Sequence, residues 1–234
     1  MSLDLICLDA DDTLWHNMRF FNEAFAEFGA MFRDVAPPES VTRALNDVEA
    51  RHRALYGFGA KGLTLSMIET AMRFFDGSVP GPLLARILEM GRYLLSHPVE
   101  LLDDVSETIE QIAAWGPLVL VTKGDLLHQE SKLAASGLGA LFTGVEIVSD
   151  KSVDTYRHVF TKYRAQPTRC LMVGDSMKSD ILPALEAGAW AAYIPQPGAW
   201  ELERADPPRS QPRYRQVSRL GDIPALIEDI HRLH

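Results

Sequence analysis

The sequence predicts an α/β fold: a parallel sheet core flanked by helices, with an all-helical domain inserted after the first strand. Three observations carry this. From about residue 97 onward, short apolar runs rich in β-branched residues alternate with helical patterns, the mark of βαβ units. One further run of that kind, residues 3–8, stands alone near the start. Between them, residues 16–96 repeat apolar positions at helical spacing and hold no strand pattern. The expected domains are a core of residues 1–15 and 97–234 and a helical insert of residues 16–96.

Residues 3–8 form a short apolar run that ends in acids, as a buried strand does. In the insert, Phe21, Ala24, Phe25, Phe28 and Phe32 follow helical spacing and read as core of that segment. Val41, Ala44, Leu45 and Val48 repeat the pattern. Ser66 and Glu69 have the spacing of a capping box ahead of Ile68 and Met72. Leu84, Ile87, Leu88, Gly91 and Leu95 mark a fourth helix. Pro37, Pro38, residues 57–62 and residues 80–82 punctuate the four. No strand precedes the glycines of 57–62, so the stretch reads as a mobile connection in which Phe58 and Lys61 could meet a ligand.

Past His97 and Pro98, Val105, Ile109 and Ile112 mark a helix, and residues 117–122 a buried strand. Residues 126–136 form a helix stopped by Gly137. A strand at 145–148 is followed by a helix face of Tyr156, Val159, Phe160 and Tyr163. Residues 169–173 are a strand, 180–187 a helix stopped by Gly188, and 191–194 a strand. Residues 195–212 hold five of the 14 prolines and read as a loop, after which Asp222 is expected to cap a last helix.

Composition narrows the function classes. The chain has 234 residues, with 23 Lys plus Arg against 32 Asp plus Glu, a formal charge of −9 that argues against nucleic acid as the partner. Two cysteines rule out a disulfide scaffold, and Cys7 and Cys170, each inside an apolar run, read as buried packing residues. The first residues carry an acid and no basic segment, so no secretory signal is expected. No apolar run approaches the roughly 20 residues of a membrane span. A cytoplasmic protein with reduced cysteines is expected, its oligomeric state open.

In open parallel sheets, chemistry gathers at the carboxyl ends of the strands. There the sequence has Asp9, Asp11, Asp12 and Thr13, then Thr122, Lys123 and Gly124, then Lys151, then Asp175, Ser176 and Asp180. Asp, Gly, Ser and Thr are common in such loops as caps and turn formers, so any one of these positions has a structural reading. Three carboxylates within four residues are different. They repel one another unless a cation offsets them, and hard oxygen ligands suit Mg²⁺.

The run Asp9-Ala10-Asp11-Asp12-Thr13-Leu14 resembles the first signature of the haloacid dehalogenase superfamily. Val121-Thr122-Lys123-Gly124 resembles its second, Lys151 its third, and the stretch from Gly174-Asp175-Ser176 to Asp180 its fourth. All four occur in order, and the helical insert occupies the position of that family's helical cap. The resemblance implies a Rossmann-like core and a role for each matched residue. Asp9 is the nucleophile that becomes an aspartyl-phosphate, and Asp11 the general acid and then base. Thr122 and the backbone at Lys123 and Gly124 bind phosphate oxygens, and Lys151 neutralises charge. Mg²⁺ is held by Asp9, the Asp11 backbone carbonyl and Asp175, with Asp180 in support.

Two positions depart from the family pattern. Lys123 stands where Asn is usual, and Ser152 follows Lys151 where Pro is usual. Ser152 suits a helix N-cap. The implied function is Mg²⁺-dependent hydrolysis of a small phosphorylated metabolite. The alternatives are a phosphomutase or dehalogenase of the same family, or a non-catalytic phospho-receiver or binding module. Asp11 counts against a dehalogenase, because a halide leaving group needs no acid. A receiver would be far shorter and lack the helical insert.

Overall fold

The computed structural model of the protein describes residues 3–198, 200 and 203–232. The chain divides into two compact units. One comprises Met1–Met18, Val99–Lys123 and Gln129–His234, the other Arg19–Pro98 and Gly124–His128.

The first unit is built on six strands: β1 (Leu5–Leu8), β2 (Leu118–Lys123), β3 (Gly144–Val148), β4 (Cys170–Gly174), β5 (Trp190–Tyr193) and β6 (Tyr214–Gln216). All pair in parallel, in the order β3-β2-β1-β4-β5-β6. Side chains alternate across such a sheet with a period of two. Ile6, Leu8, Leu118, Leu120, Leu171 and Val173 therefore face one core, shared with α5 (Val105–Ala113) and α9 (Ile223–Arg232). Leu5, Cys7, Val119, Val121 and Met172 face the other, against Tyr156, Val159 and Phe160 of α7 (Val153–Lys162). Cys7 and Cys170 are both free thiols within that second core, as their apolar settings implied.

The strand order reverses at β1. The chain builds outward through β2 and β3 on one side, then through β4, β5 and β6 on the other. A crevice at the carboxyl ends of strands is expected at such a switch point. Residues following β1, β2 and β4 are thus brought to adjacent sheet positions.

The second unit holds α1 (Met18–Ala30) from Arg19 onward, α2 (Pro38–Tyr56), α3 (Ala60–Phe74) and α4 (Gly81–Ser96). Phe20, Phe28, Phe32, Leu45, Met67 and Ile87 lie in its core. Pro38 enters α2 at its first turn, where a missing N–H costs nothing. Residues 124–128 group with this unit, so α6 (Leu126–Ser136) begins there and continues in the first. Among the described residues, no helix is long and apolar enough to cross a membrane.

Several expectations for single elements need correction. The buried face of α1 carries Phe20, Ala24 and Phe28, while Phe21 and Phe25 are only partly buried. Ser66 and Glu69 form no capping box, because α3 starts at Ala60 and Ser66 is buried mid-helix. Glu69 instead pairs with Arg73 at 2.9 Å and with His52 at 3.2 Å. Residues 57–62 are not a connection throughout, since Ala60, Lys61 and Gly62 already belong to α3, and Lys61 pairs with Asp125 at 2.8 Å. The helix expected from residue 180 begins three residues earlier, as a π-type turn (Met177–Ile181) running into α8 (Leu182–Glu186). Asp222 turns backward: its carboxylate accepts from the amides of Ser218 and Arg219 rather than capping α9. The stretch 195–212 read as a loop includes residues 199, 201 and 202, which lie outside the described residues, and the short β6 just after it gave no strand signal.

The observed face of α1 has a direct consequence. Phe28 is fully buried, so Phe28→Ala should cost about 3–5 kcal/mol. Phe25→Ala, at a partly buried position, should cost well under half of that. Urea unfolding of the two variants measures the difference.

Candidate active site

Asp9 leaves the end of β1 with its amide donating to the Val173 carbonyl of β4 at 2.9 Å. That bond fixes its side chain at the switch point. The carboxylate is buried, 6% exposed, and its Oδ2 accepts from the Thr13 hydroxyl at 3.1 Å. Its Oδ1 is bonded to the Lys151 ammonium. Lys151 lies between β3 and α7, where Ser152 caps α7 by accepting from the Thr155 amide at 3.2 Å. The Lys151 ammonium also donates to Asp180 Oδ1 at 2.6 Å. Asp180 Oδ2 accepts from the Ser176 amide at 2.9 Å, so both of its oxygens are engaged.

Gly174 makes this arrangement possible. A Cβ at that position would stand 2.3 Å from Asp180 Oδ2 and 2.5 Å from its Cγ. The last residue of β4 has to be glycine for the Asp180 carboxylate to reach Lys151.

Asp175 follows Gly174. Asp9, Asp175 and Asp180 each offer a carboxylate oxygen, all within 4.8 Å of one another. Burial pushes Asp9 up to about 7, against the opposing pull of Lys151. Burial, then the charges of Asp9 and Asp180, push Asp175 well above the usual carboxylate range. Burial would lower Lys151, but Asp180 and Asp9 together hold it above its ordinary value, so it stays charged. One ammonium facing three carboxylates leaves negative charge uncompensated in a buried place. The donor set, all hard oxygens, fits a divalent cation.

Asp11 sits in a separate setting. Burial would raise it, but the Lys132 charge and hydrogen bonds from Lys132, Trp15 and Gln129 hold it below the ordinary value. Lys132 Nζ lies 2.5 Å and Trp15 Nε1 2.7 Å from Asp11 Oδ1, and Gln129 Nε2 lies 3.1 Å from Oδ2. Asp12 serves the backbone. With φ at 60° it turns its carboxylate onto the amides of Asn17 and Met18, at 3.0 and 2.9 Å, at the start of α1.

Thr122, the penultimate residue of β2, is buried, its hydroxyl 2.6 Å from Gln129 Nε2. The Lys123 ammonium is 2.7 Å from the Ser179 hydroxyl and 2.8 Å from Glu203 Oε1. Glu203 also accepts from the hydroxyls of Ser176, at 2.7 Å, and Ser179. Gly124 adopts φ of 130°, a left-handed value that favours glycine directly after the strand.

Asp9, Asp175, Asp180 and Lys151 are thus in one cluster, and Asp11 and Thr122 are joined through Gln129. Gln129, Lys132 and Glu203 escaped the sequence reading. The first two lie three apart on a helix that was legible, and that shared face was the available signal. Glu203 gave none.

A family model described as haloacid dehalogenase-like hydrolase matches residues 3–188. A solved haloacid dehalogenase-like family hydrolase from Xanthomonas campestris is 36% identical, with a TM-score of 0.89 over 99% of this chain and 93% of that one. L-2-haloacid dehalogenase from Xanthobacter autotrophicus shares the fold at 16% identity, with a TM-score of 0.65 over 97% and 98% of the two chains. N-acylneuraminate-9-phosphatase from Mus musculus is 28% identical over 142 residues, 58% of this chain and 55% of the relative. The chain spans about half the length of the curated relatives it matches.

The raised carboxylates fix a sign. Asp9 binds its proton more tightly when folded, at about 7 against 3.8 unfolded, so its contribution to stability is lost as pH rises through that window. A divalent cation offsets the charge that appears. Thermal melts should therefore show a larger Mg²⁺-induced rise in Tm at pH 8 than at pH 5. Equal rises, or none, would contradict the cation fit. Gly174→Ala should abolish the Mg²⁺-induced rise, because the new methyl displaces Asp180.

Proposed function

Because the chain belongs to the haloacid dehalogenase-like hydrolases, we propose that it is a phosphatase. It hydrolyses a small-molecule phosphomonoester through an aspartyl-phosphate on Asp9, with Mg²⁺ as cofactor. One observation carries this reading. Asp9, bonded to Lys151, stands within reach of Asp175 and Asp180 at the cluster that fits a cation, while Asp11, two residues on, is held apart from that cluster on Lys132. A carboxylate at a cation site can attack phosphorus, and one outside it is free to carry a proton.

Asp9 attacks phosphorus, and the bond to the ester oxygen breaks. Asp11, which takes up a proton from solvent as the phosphate ester binds, donates it to that oxygen, which leaves as the alcohol. Asp11, now a carboxylate, takes a proton from water. The resulting hydroxide attacks phosphorus, the bond to Asp9 breaks, and phosphate leaves. Lys132 keeps Asp11 ionised in the free enzyme, the form needed as base. A phosphate dianion beside it raises its proton affinity towards the acid form. Thr122 and the amides after it bind phosphate oxygens, and Lys151 stays charged beside Asp9.

Asp9 and Asp175 would hold Mg²⁺ with the Asp11 backbone carbonyl, and Asp180 would support them through Lys151 and the Ser176 amide. When bound, the ion supplies positive charge against the phosphate oxygens. The helical unit, Arg19–Pro98, would act as the cap that selects the leaving group.

The general acid favours this reading over a dehalogenase, whose halide needs no proton. The acylneuraminate phosphatases offer the first ester to try, a sugar-acid phosphate. The test is a phosphate-release screen with Mg²⁺ across sugar-acid phosphates, sugar phosphates, nucleotides and phosphoglycolate. Turnover of at least one ester is expected, abolished by Asp9→Asn and by chelation. Inertness towards every ester, or an Asp9→Asn variant that keeps turning over, would contradict it.

A further inference from the structure

We propose that Lys132 and Gln129, two buried polar residues of α6, are positioning residues that fix the Asp11 carboxylate for proton transfer and lock it to the phosphate-binding end of β2. The inference rests on the phosphatase reading and extends it to residues outside the four signatures.

Gln129 and Lys132 are three apart, so they share one face of α6. They are only 3% and 5% exposed. Burying a lysine requires a partner, and Lys132 has two: Asp11 Oδ1 at 2.5 Å and Asn17 Oδ1 at 3.3 Å. Trp15 Nε1 reaches the same Asp11 oxygen at 2.7 Å. Gln129 takes the other oxygen at 3.1 Å. Donors on both oxygens leave the carboxylate one plane and one rotamer.

Gln129 does more than hold Asp11. The same amide nitrogen lies 2.6 Å from the Thr122 hydroxyl and 2.8 Å from the Lys123 carbonyl. It therefore ties the loop after β1 to the end of β2. Among the described residues, its own Oε1 is buried with no hydrogen-bond partner. Turning the amide over would aim that oxygen at the Asp11 carboxylate and the Lys123 carbonyl, so the observed orientation is the one the neighbours impose. A buried acceptor left unpaired carries a desolvation penalty that an apolar residue here would avoid. What the glutamine supplies here is its donor, and the donor serves Asp11 and Thr122.

The test compares an alkyl phosphate, whose leaving group needs a proton, with an aryl phosphate, whose leaving group does not. Lys132→Met keeps the length of the side chain and removes the ammonium. It should lower kcat for the alkyl ester about 10²-fold, the scale of a misplaced catalytic group, with KM little changed. The aryl ester should lose far less. In an Asp11→Asn background, the same Lys132→Met change should cost almost nothing further, because the group it positions is already gone. Gln129→Met, a second variant of similar volume, should repeat the pattern and covers the case in which Lys132→Met fails to fold, as judged by thermal melting. Equal losses for the two esters, or a full loss that persists in the Asp11→Asn background, would overturn the positioning role. A parent enzyme inert towards both esters, or one whose Asp9→Asn variant stays active, would overturn the phosphatase reading and this inference with it.

Discussion

The Lys151 ammonium, bonded at once to Asp9 and Asp180, is the interaction on which the rest of the site depends. Its side chain is 2% exposed, and those of Asp9 and Asp180 are buried beside it at 8% and 1%. Charges this deep are tolerable only as a hydrogen-bonded group, and removing one member of such a group costs about 3–5 kcal/mol. The surrounding chain serves this constraint. Gly174 leaves room for Asp180, the π-type turn aims Asp180 back toward β4, and Ser152 starts α7 directly after the lysine. Tyr156 of α7 donates to the Ser179 carbonyl at 3.1 Å, tying that helix to the same turn.

The pattern repeats at two other lysines. Lys132 is matched to Asp11 and Lys123 to Glu203. Burial would raise Glu203, but the charge and hydrogen bond of Lys123 hold it below its ordinary value. Lys123 stands where the family often has asparagine, and its extra charge is absorbed by a glutamate 80 residues further along the chain. Three lysines thus divide the acidic site into compartments with different proton affinities. The compartment around Asp9, Asp175 and Asp180 is the one left with excess negative charge, and it is the one whose donors suit a cation.

Five of the six strands were legible because they are short apolar runs, and a parallel strand buried on both faces reads that way, whereas β6 is a short polar-rich edge with no such run. The four strand ends were legible for the same reason. The misreadings have physical sources. Phe20 and Phe21 are neighbours in sequence, and positions 20, 24 and 28 fit helical periodicity almost as well as 21, 25 and 28. The rotation of α1 was therefore set by packing and not by pattern. Ser66 with Glu69 matches a capping box by spacing, but a small serine also suits a close helix contact. Polar residues on a helix usually face water, which hid Gln129 and Lys132 until Asp11 was seen opposite them. Glu203 meets its partners from a proline-rich stretch with no periodicity to read.

The central claim is that Asp9 carries the phosphoryl group. The direct measurement is to quench the enzyme in acid during turnover of a good ester with Mg²⁺ and map the phosphate on the protein by peptide mass spectrometry. The account predicts a hydroxylamine-sensitive phosphate on the peptide containing Asp9, formed and consumed at the rate of turnover. Phosphate found on another residue, or turnover with no phosphorylated protein at any time, would contradict it.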